Sequence, residues 1–251
     1  MSRPRVLIPV ALGTNRDGDL ARAFELAGAD AERVPLTALR SGERSLSDFQ
    51  LLAIPGGFSY GDALGAGRLF GLDLAGWFGD QLREAAAGGM PMFGVCNGFQ
   101  ALVRAGLLPG NQNAVLTANA SGRFECRWVT LEPTDASIWT AGLVEPLRCP
   151  VAHGEGRFVA EDLDAIGSQI AFRYLGDAGE PDSGAAGAGY PANPNGSDGD
   201  VAGICDPTGR IIGLMPHPEN HVLRRQDPLR GRRPGGLCLP LFEAGVAAVL
   251  S

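Results

Sequence analysis

The chain has 251 residues, of which 45% are hydrophobic and 20% charged, so it can bury a full core and a largely disordered chain is excluded. The formal net charge of −7 and the pI near 5.0 argue against a nucleic-acid partner and against an anionic membrane surface, because both favour clustered positive charge. No apolar run approaches the ~18 to 20 residues of a membrane span.

Cysteine and arginine usage narrows the chemistry further. Five cysteines without a CxxC pair favour a reducing compartment, and we expect a cytoplasmic protein. All 21 basic residues are arginine and none is lysine. A Walker-type phosphate loop and Schiff-base chemistry both need a lysine, so neither is expected in its usual form. Any ATP-dependent step should then belong to another chain.

Hydrophobic periodicity predicts strands that alternate with helices along the first half of the chain. Strands are predicted at 5–10, 51–54, 90–95, 126–131, 169–174, 201–205 and 211–215, and helices at 17–27, 69–87 and 238–250. The Gly- and Pro-rich segment 177–200 is predicted to be a long loop. We therefore predict an α/β fold, a doubly wound mixed, mostly parallel sheet flanked by helices, in one domain over residues 1–251.

A cysteine lies where a predicted strand turns into a helix. The sequence GVCNGFQAL (94–102) follows the apolar run MPMF, and this strand, sharp turn and helix order is typical of a nucleophile elbow with Cys96 as the nucleophile. Glycines two positions before and after Cys96 are expected where side chains would collide, and a helix N-terminus favours the thiolate. A small buried residue in an ordinary strand-to-helix turn remains the alternative.

A later segment offers a base for that cysteine. In MPHPE (215–219), prolines on both sides of His217 exclude helix and favour an extended chain, in which His217 and Glu219 face the same side. The imidazole can then take the thiol proton while the carboxylate orients it. A satisfied structural histidine is the alternative interpretation.

The Gly-Gly pair in IPGGFS (54–59) also follows a predicted strand directly. Such glycines allow backbone N–H groups to approach a ligand closely, at the sheet edge where a doubly wound fold binds its ligands. We expect the N–H groups of Gly57 and Asn97 to form an oxyanion hole. An ordinary turn would have the same composition.

Together these segments resemble the class I glutamine amidotransferase family, in which a Gly-Gly loop, a G-x-C-x-G elbow and an H-x-E appear in this order. Longer motifs resemble the glutaminases of phosphoribosylformylglycinamidine synthase, which serve purine biosynthesis. They cover nearly the whole chain: GTN (13–15), PGGFSYGDALGAG (55–67), GVCNGFQAL (94–102), NASGRFECRW (119–128), AHGEGRF (152–158), NPNGS (193–197), AGICD (202–206) and GLMPHPE (213–219).

The resemblance implies a specific reaction and a partner. Cys96 forms a γ-glutamyl thioester, His217 helps ammonia to leave, and water releases glutamate. Gln100 matches a glutamine that holds the substrate in that family, although a helix-surface glutamine is an equal alternative. The ammonia passes to a separate synthase subunit that binds ATP and Mg²⁺, with a small accessory subunit as a further partner. No metal and no cofactor are expected in this chain.

Other segments and readings stay open. His153, Glu155 and Arg123 either line the glutamine pocket, face the synthase or lie in plain turns. Asn220 and His221 stand where the family more often has an arginine, and segment 224–233 carries five arginines that either bind an acidic partner or are solvated. A related elbow-cysteine hydrolase usually has its histidine soon after the nucleophile, and a catalytically silent subunit is disfavoured by the intact Cys96, His217 and Glu219.

Overall fold

A computed structural model describes residues 2–110, 112–176, 187–230, 232 and 235–250. Part of the predicted loop, residues 177–186, and Arg233 of the arginine-rich segment lie outside the described residues. Residues 187–200 contain two short helical turns within the predicted loop. Among the helices of the described ranges, none has both the length and the apolar character needed to cross a bilayer.

Eleven strands are present in the described part of the chain. They are β1 (Arg5–Val10), β2 (Asp30–Pro35), β3 (Leu51–Ile54), β4 (Met92–Val95), β5 (Ala114–Ala118), β6 (Glu125–Pro133), β7 (Leu147–His153), β8 (Glu155–Ala160), β9 (Ile170–Leu175), β10 (Val201–Cys205) and β11 (Ile211–Leu214). All seven predicted strands are therefore found, and β2, β5, β7 and β8 are additional.

The helices are α1 (Asp17–Leu26), α2 (Leu36–Arg40), α3 (Arg68–Ala87), α4 (Asn97–Arg104), α5 (Gly189–Ala192) and α6 (Leu239–Leu250). Short 3₁₀ helices occur at Leu46–Asp48, Ser59–Asp62, Gly167–Gln169, Asp198–Asp200, Pro218–His221 and Arg224–Gln226. The predicted helices at 17–27, 69–87 and 238–250 correspond to α1, α3 and α6, each within one residue of its predicted bounds.

Nine strands form one mixed sheet in the order β2-β1-β3-β4-β11-β10-β9-β6-β7, and β5 pairs with β8 in a separate antiparallel pair. The five strands β2, β1, β3, β4 and β11 pair with one another in parallel. The pairs β11–β10, β10–β9, β9–β6 and β6–β7 are antiparallel. The predicted α/β architecture with a mixed sheet and flanking helices is confirmed.

Helices cover both faces of the parallel half of the sheet. On one face, Phe24 of α1 and Phe242 of α6 pack edge to face with ring centroids 5.2 Å apart, and both rings contact Phe93 of β4. On the other face, Phe99 of α4 lies directly over the backbone of Gly213 in β11. These buried aromatic rings fix β4 in the middle of the core, because aromatic pairs contribute both area and preferred geometry.

The register places three strand ends at one edge of the sheet. Gly94 pairs with Ile54 of β3 on one side and with Gly213 of β11 on the other. Because these strands are parallel, the residues that follow β3, β4 and β11 emerge together at their carboxyl ends. The Gly-Gly loop, Cys96 and the His217 segment are those residues.

Candidate active site

Cys96 lies in a strained turn between β4 and α4. Its backbone has φ 52° and ψ −109°, a region that non-glycine residues adopt only when the surrounding structure holds them there. The Cys96 N–H donates to the carbonyl of Leu214 at 2.8 Å, which ties the turn to the end of β11. The predicted strand, turn and helix order is confirmed, and this backbone geometry is typical of a nucleophile elbow.

The flanking glycines are required by close packing, as the sequence predicts. A Cβ atom on Gly98 would overlap the carbonyl of Ile54, and one on Gly94 would lie 2.5 Å from Cδ1 of Leu102. In both cases the obstacle is backbone or a packed side chain of the core. The G-x-C-x-G spacing therefore allows α4 to start directly against β3 and β4, with the cysteine at its N-terminus.

His217 and Glu219 form a buried pair after β11. Nδ1 of His217 lies 2.7 Å from Oε1 of Glu219, and the two side chains are 4% and 0% exposed. The expected extended chain through Glu219 is wrong: the extended conformation ends at His217, and Pro218–His221 form a 3₁₀ turn. Proline is favoured in the first turn of such a helix, and the turn folds the carboxylate back onto the imidazole.

The charge state of His217 follows from its neighbours. Burial favours the neutral imidazole, but the charges of Glu219 and Cys96, together with hydrogen bonds to both side chains, raise the pKa of His217 to about 10. Opposite charges at hydrogen-bond distance favour the ionised form. The arrangement can therefore hold an imidazolium that is paired with Glu219 and lies beside the sulfur of Cys96.

The Gly-Gly loop after β3 forms a wall of this site. A Cβ atom on Gly56 would lie 2.9 Å from Cε1 of His217 and 3.4 Å from Cβ of Cys96. Gly57 has φ +125° and is bridged to Thr14 in the loop after β1. Gly57 therefore directly follows the residue that packs on Cys96, and Asn97 directly follows Cys96 itself. The function of their N–H groups as oxyanion donors stays a prediction.

Comparison with known proteins places this geometry in a family. A model of the CobB/CobQ-like glutamine amidotransferase domain matches residues 3–247. The chain belongs to this family. It is 47% identical over 99% of its length to all of the phosphoribosylformylglycinamidine synthase subunit PurQ of Treponema denticola, and 42% identical over 91% of its length to 89% of the same subunit from Dehalococcoides mccartyi.

A solved structure is similar over nearly the whole amidotransferase chain. PurLQS from Thermotoga maritima contains a chain that is 32% identical, with a TM-score of 0.77, and the match covers 98% of this chain and 99% of that one. The family and the fold expected from the sequence motifs are therefore both confirmed. The family resemblance extends through the antiparallel part of the sheet as well as the elbow.

The candidate site also contains a polar network on the first turns of α4. Gln100 is buried, donates from Nε2 to the carbonyl of Glu155, and accepts from Nδ2 of Asn97 at 3.3 Å. The Asn97 amide also donates to Oδ1 of Asp62 at 3.1 Å. Gln100 therefore lies against the first residue of β8, and a contact with substrate stays a prediction.

Asp62 and Glu155 place negative charge beside this network. Burial and the charge of Glu155 raise the pKa of Asp62, against a hydrogen bond from Asn97 that lowers it. The Glu155 carboxylate accepts the N–H of Ala66 at 3.2 Å. Sequence reasoning missed Asp62; its position in the long motif PGGFSYGDALGAG was the available signal.

The remaining candidate residues differ in whether their side chains are buried or exposed. His153 is buried, whereas the side chain of Arg123 is exposed on the loop before β6. His221 packs edge to face on Trp128 with ring centroids 5.1 Å apart, and its Nδ1 lies at hydrogen-bond distance from the carbonyl of Arg148. Arg224, Arg225 and Arg230 of the arginine-rich segment are likewise exposed.

Proposed function

We propose that this chain hydrolyses glutamine to glutamate and ammonia through a Cys96, His217 and Glu219 triad. It supplies the ammonia to phosphoribosylformylglycinamidine synthase in de novo purine biosynthesis. One observation carries the proposal: the strained elbow cysteine lies beside a nearly fully buried imidazole that is paired with a carboxylate at 2.7 Å. Membership of the amidotransferase family supplies the reaction class.

The reaction follows from the charges of these groups. The Cys96 thiolate attacks the carboxamide carbon, and the negative charge on the oxygen is stabilised by the N–H groups of Gly57 and Asn97. His217 gives its proton to the nitrogen as the C–N bond breaks, so ammonia leaves and a γ-glutamyl thioester remains. The same imidazole then accepts a proton from water, whose oxygen attacks the thioester. Glutamate is released and the thiolate returns.

Glu219 and Gln100 assist the reaction without forming or breaking covalent bonds. The carboxylate holds His217 by Nδ1, so the other ring nitrogen is the one that serves the thiol and the leaving nitrogen. Gln100 lies one helical turn after Cys96, on the same face of α4, and we assign it to holding glutamine. Its hydrogen bonds to Asn97 and to the Glu155 carbonyl fix its amide before substrate arrives.

The partner is the synthase subunit, with a small accessory subunit as a second candidate. The absence of lysine from the chain supports this division of labour, because ATP and Mg²⁺ then belong to the synthase. We place the complex in the cytoplasm. The named relatives are PurQ subunits, and the PurLQS structure contains a chain of the same fold.

A glutamine-analogue diazoketone tests the proposal in the reconstituted complex. The reagent carries an electrophilic carbon at the carboxamide position, so we expect stoichiometric labelling at Cys96, identified by peptide mass spectrometry. Cys126 is the internal control because it is exposed and therefore reports non-specific alkylation by the reagent. Labelling at Cys126 with Cys96 unmodified would contradict the proposal.

A further inference from the structure

His153 at the end of β7 carries a buried ring nitrogen without a hydrogen-bond partner. The residue is 4% exposed, and Nε2 has no partner among the described residues. Buried polar groups in native proteins are almost always hydrogen-bonded, so each exception calls for an explanation. The family triad does not use this nitrogen.

The network around His153 fixes which ring nitrogen carries the proton. Nδ2 of Asn119 donates to the carbonyls of His153 at 2.8 Å and of Arg123 at 2.9 Å. Oδ1 of the same amide must therefore be the acceptor, and it also accepts the N–H of Gly156 at 3.0 Å. Since Nδ1 of His153 lies 3.1 Å from that oxygen, Nδ1 carries the hydrogen. Nε2 then presents a lone pair.

The ring is held in place and kept neutral. A Cβ atom on Gly156 would lie 2.6 Å from both Nδ1 and Cε1 of His153, so only glycine fits beside the ring. Burial, helped by the positive charge of His217, lowers the pKa of His153 to about 4. The imidazole is therefore a fixed, uncharged acceptor at neutral pH.

The strand that carries His153 forms one side of the Cys96 site. The carbonyl of Ala152 lies 3.9 Å from Sγ of Cys96, and the carbonyl of Pro150 accepts the N–H of His217 at 2.8 Å. The charge of His217 acts on the His153 ring as well. Nε2 of His153 is thus a hydrogen-bond acceptor without a partner near Cys96. It suits a ligand that donates an N–H group.

We propose that Nε2 of His153 accepts a hydrogen bond from the carboxamide nitrogen of glutamine and holds that nitrogen as it leaves. The inference rests on the glutaminase function proposed above. As the C–N bond breaks, its electron pair stays on the nitrogen and the proton comes from His217. His153 forms no covalent bond. The N–H group at Nδ1 of His153 already donates to Asn119, so His153 gives no proton to the leaving nitrogen. The substrate nitrogen therefore departs as neutral ammonia.

The test compares a substrate that has this nitrogen with a reagent that lacks it. Glutamine hydrolysis and diazoketone labelling of Cys96 are measured in the reconstituted complex, because both compounds share the α-amino and α-carboxylate groups. His153→Phe removes the acceptor and keeps an aromatic ring. We expect kcat/KM for glutamine to fall about 10- to 100-fold, as for loss of one buried hydrogen bond, with labelling within about twofold of wild type.

His153→Gln is the matched variant, because its amide oxygen can replace the lone pair. Its kcat/KM for glutamine should be at least about tenfold higher than that of the Phe variant if one hydrogen bond is restored. His153→Leu takes the place of the Phe variant if that protein does not fold. Equal losses with glutamine and with the diazoketone would overturn the inference, since His153 would then serve the shared groups or the fold. Unchanged glutamine turnover would overturn it too.

This experiment distinguishes failure of the proposed glutaminase function from failure of the proposed role of His153. If the wild-type complex neither hydrolyses glutamine nor labels at Cys96, the glutaminase function itself is wrong. If the wild type does both and the His153 variants behave like it, only the role of His153 is wrong.

Discussion

Replacing Gly56 by alanine should damage catalysis far more than folding. The new Cβ would lie 2.9 Å from Cε1 of His217, 3.3 Å from the carbonyl of Val95 and 3.4 Å from Cβ of Cys96. Non-bonded carbons rest at about 3.5 to 4.0 Å, so the imidazole must move by roughly 0.6 to 1 Å. Glu219 holds the ring at 2.7 Å, and the displacement therefore disturbs the proposed triad.

A misplacement of this size costs up to about 100-fold in rate, so we expect Gly56→Ala to lose roughly 10- to 100-fold of glutamine-dependent synthesis. Overpacking of this kind costs about 1–3 kcal/mol of stability. The assay is synthesis by the reconstituted complex with glutamine and, separately, with ammonia, which should stay near wild type. Thermal melts of each variant report the fold.

Gly76→Ala is the matched control for this substitution. Gly76 lies on the exposed side of α3, and an added Cβ would meet nothing within 4 Å. Alanine there should leave both activities unchanged and stabilise the helix by about 0.5–1 kcal/mol. If Gly56→Ala retained glutamine-dependent synthesis within about twofold of wild type, the close packing of the loop on His217 could not be what positions the base.

Further predictions concern charge and coupling. His217 has a folded-state pKa of about 10 against 6.5, so its protonation stabilises the fold fully below about pH 6.5 and this contribution is lost as the pH rises through about 10. Glu219→Gln should lower the pKa of His217 in an NMR titration of the chain's three histidines, and an unchanged titration would contradict the pairing. Arg148→Ala should cost about 3–5 kcal/mol in denaturant unfolding because it removes a buried ion pair, which Arg148 forms with Asp227 at 2.9 Å. Arg83→Ala in an exposed pair should cost less than about 1 kcal/mol; equal costs would refute this. The purified single chain should hydrolyse glutamine only weakly, and full activity without the synthase would exclude obligate coupling.

Local steric requirements made the elbow predictable from sequence. The glycines at 94 and 98 are needed because of contacts made within a few residues of Cys96 and with the adjoining strand, and a G-x-C-x-G pattern records that requirement directly. The strands β1, β3, β4, β10 and β11 were also predictable from sequence. They are buried along their whole or nearly whole length, so each is a continuous apolar run.

The missed strands lack that signal for physical reasons. β2 is an edge strand with the sequence DAERVP, in which only Val34 is buried. β7 contains Pro150, which sequence reasoning takes as a strand breaker, but β7 lies at the opposite edge of the sheet, where a missing N–H is tolerated. β5 and β8 form a small separate pair with mostly exposed or half-buried side chains.

Long-range contacts account for the rest of the site. The 3₁₀ turn that returns Glu219 to His217 depends on the packing of that turn against β7 and α1, which spacing alone does not encode. Asn119 and His153 are 34 residues apart and meet only because β5 pairs with β8 and β6 with β7. Their partnership carries no local pattern, so neither the tautomer of His153 nor its open nitrogen was predictable.

The nucleophile is tested most directly by Cys96→Ala in the reconstituted complex, with synthesis measured from glutamine and from added ammonia. The side chain is nearly fully buried, so its replacement by alanine leaves the surface of the chain almost unchanged. The proposed reaction predicts that glutamine-dependent synthesis disappears while ammonia still supports synthesis at the wild-type rate. Retention of glutamine-dependent synthesis by the alanine variant would contradict the assignment of Cys96 as the nucleophile.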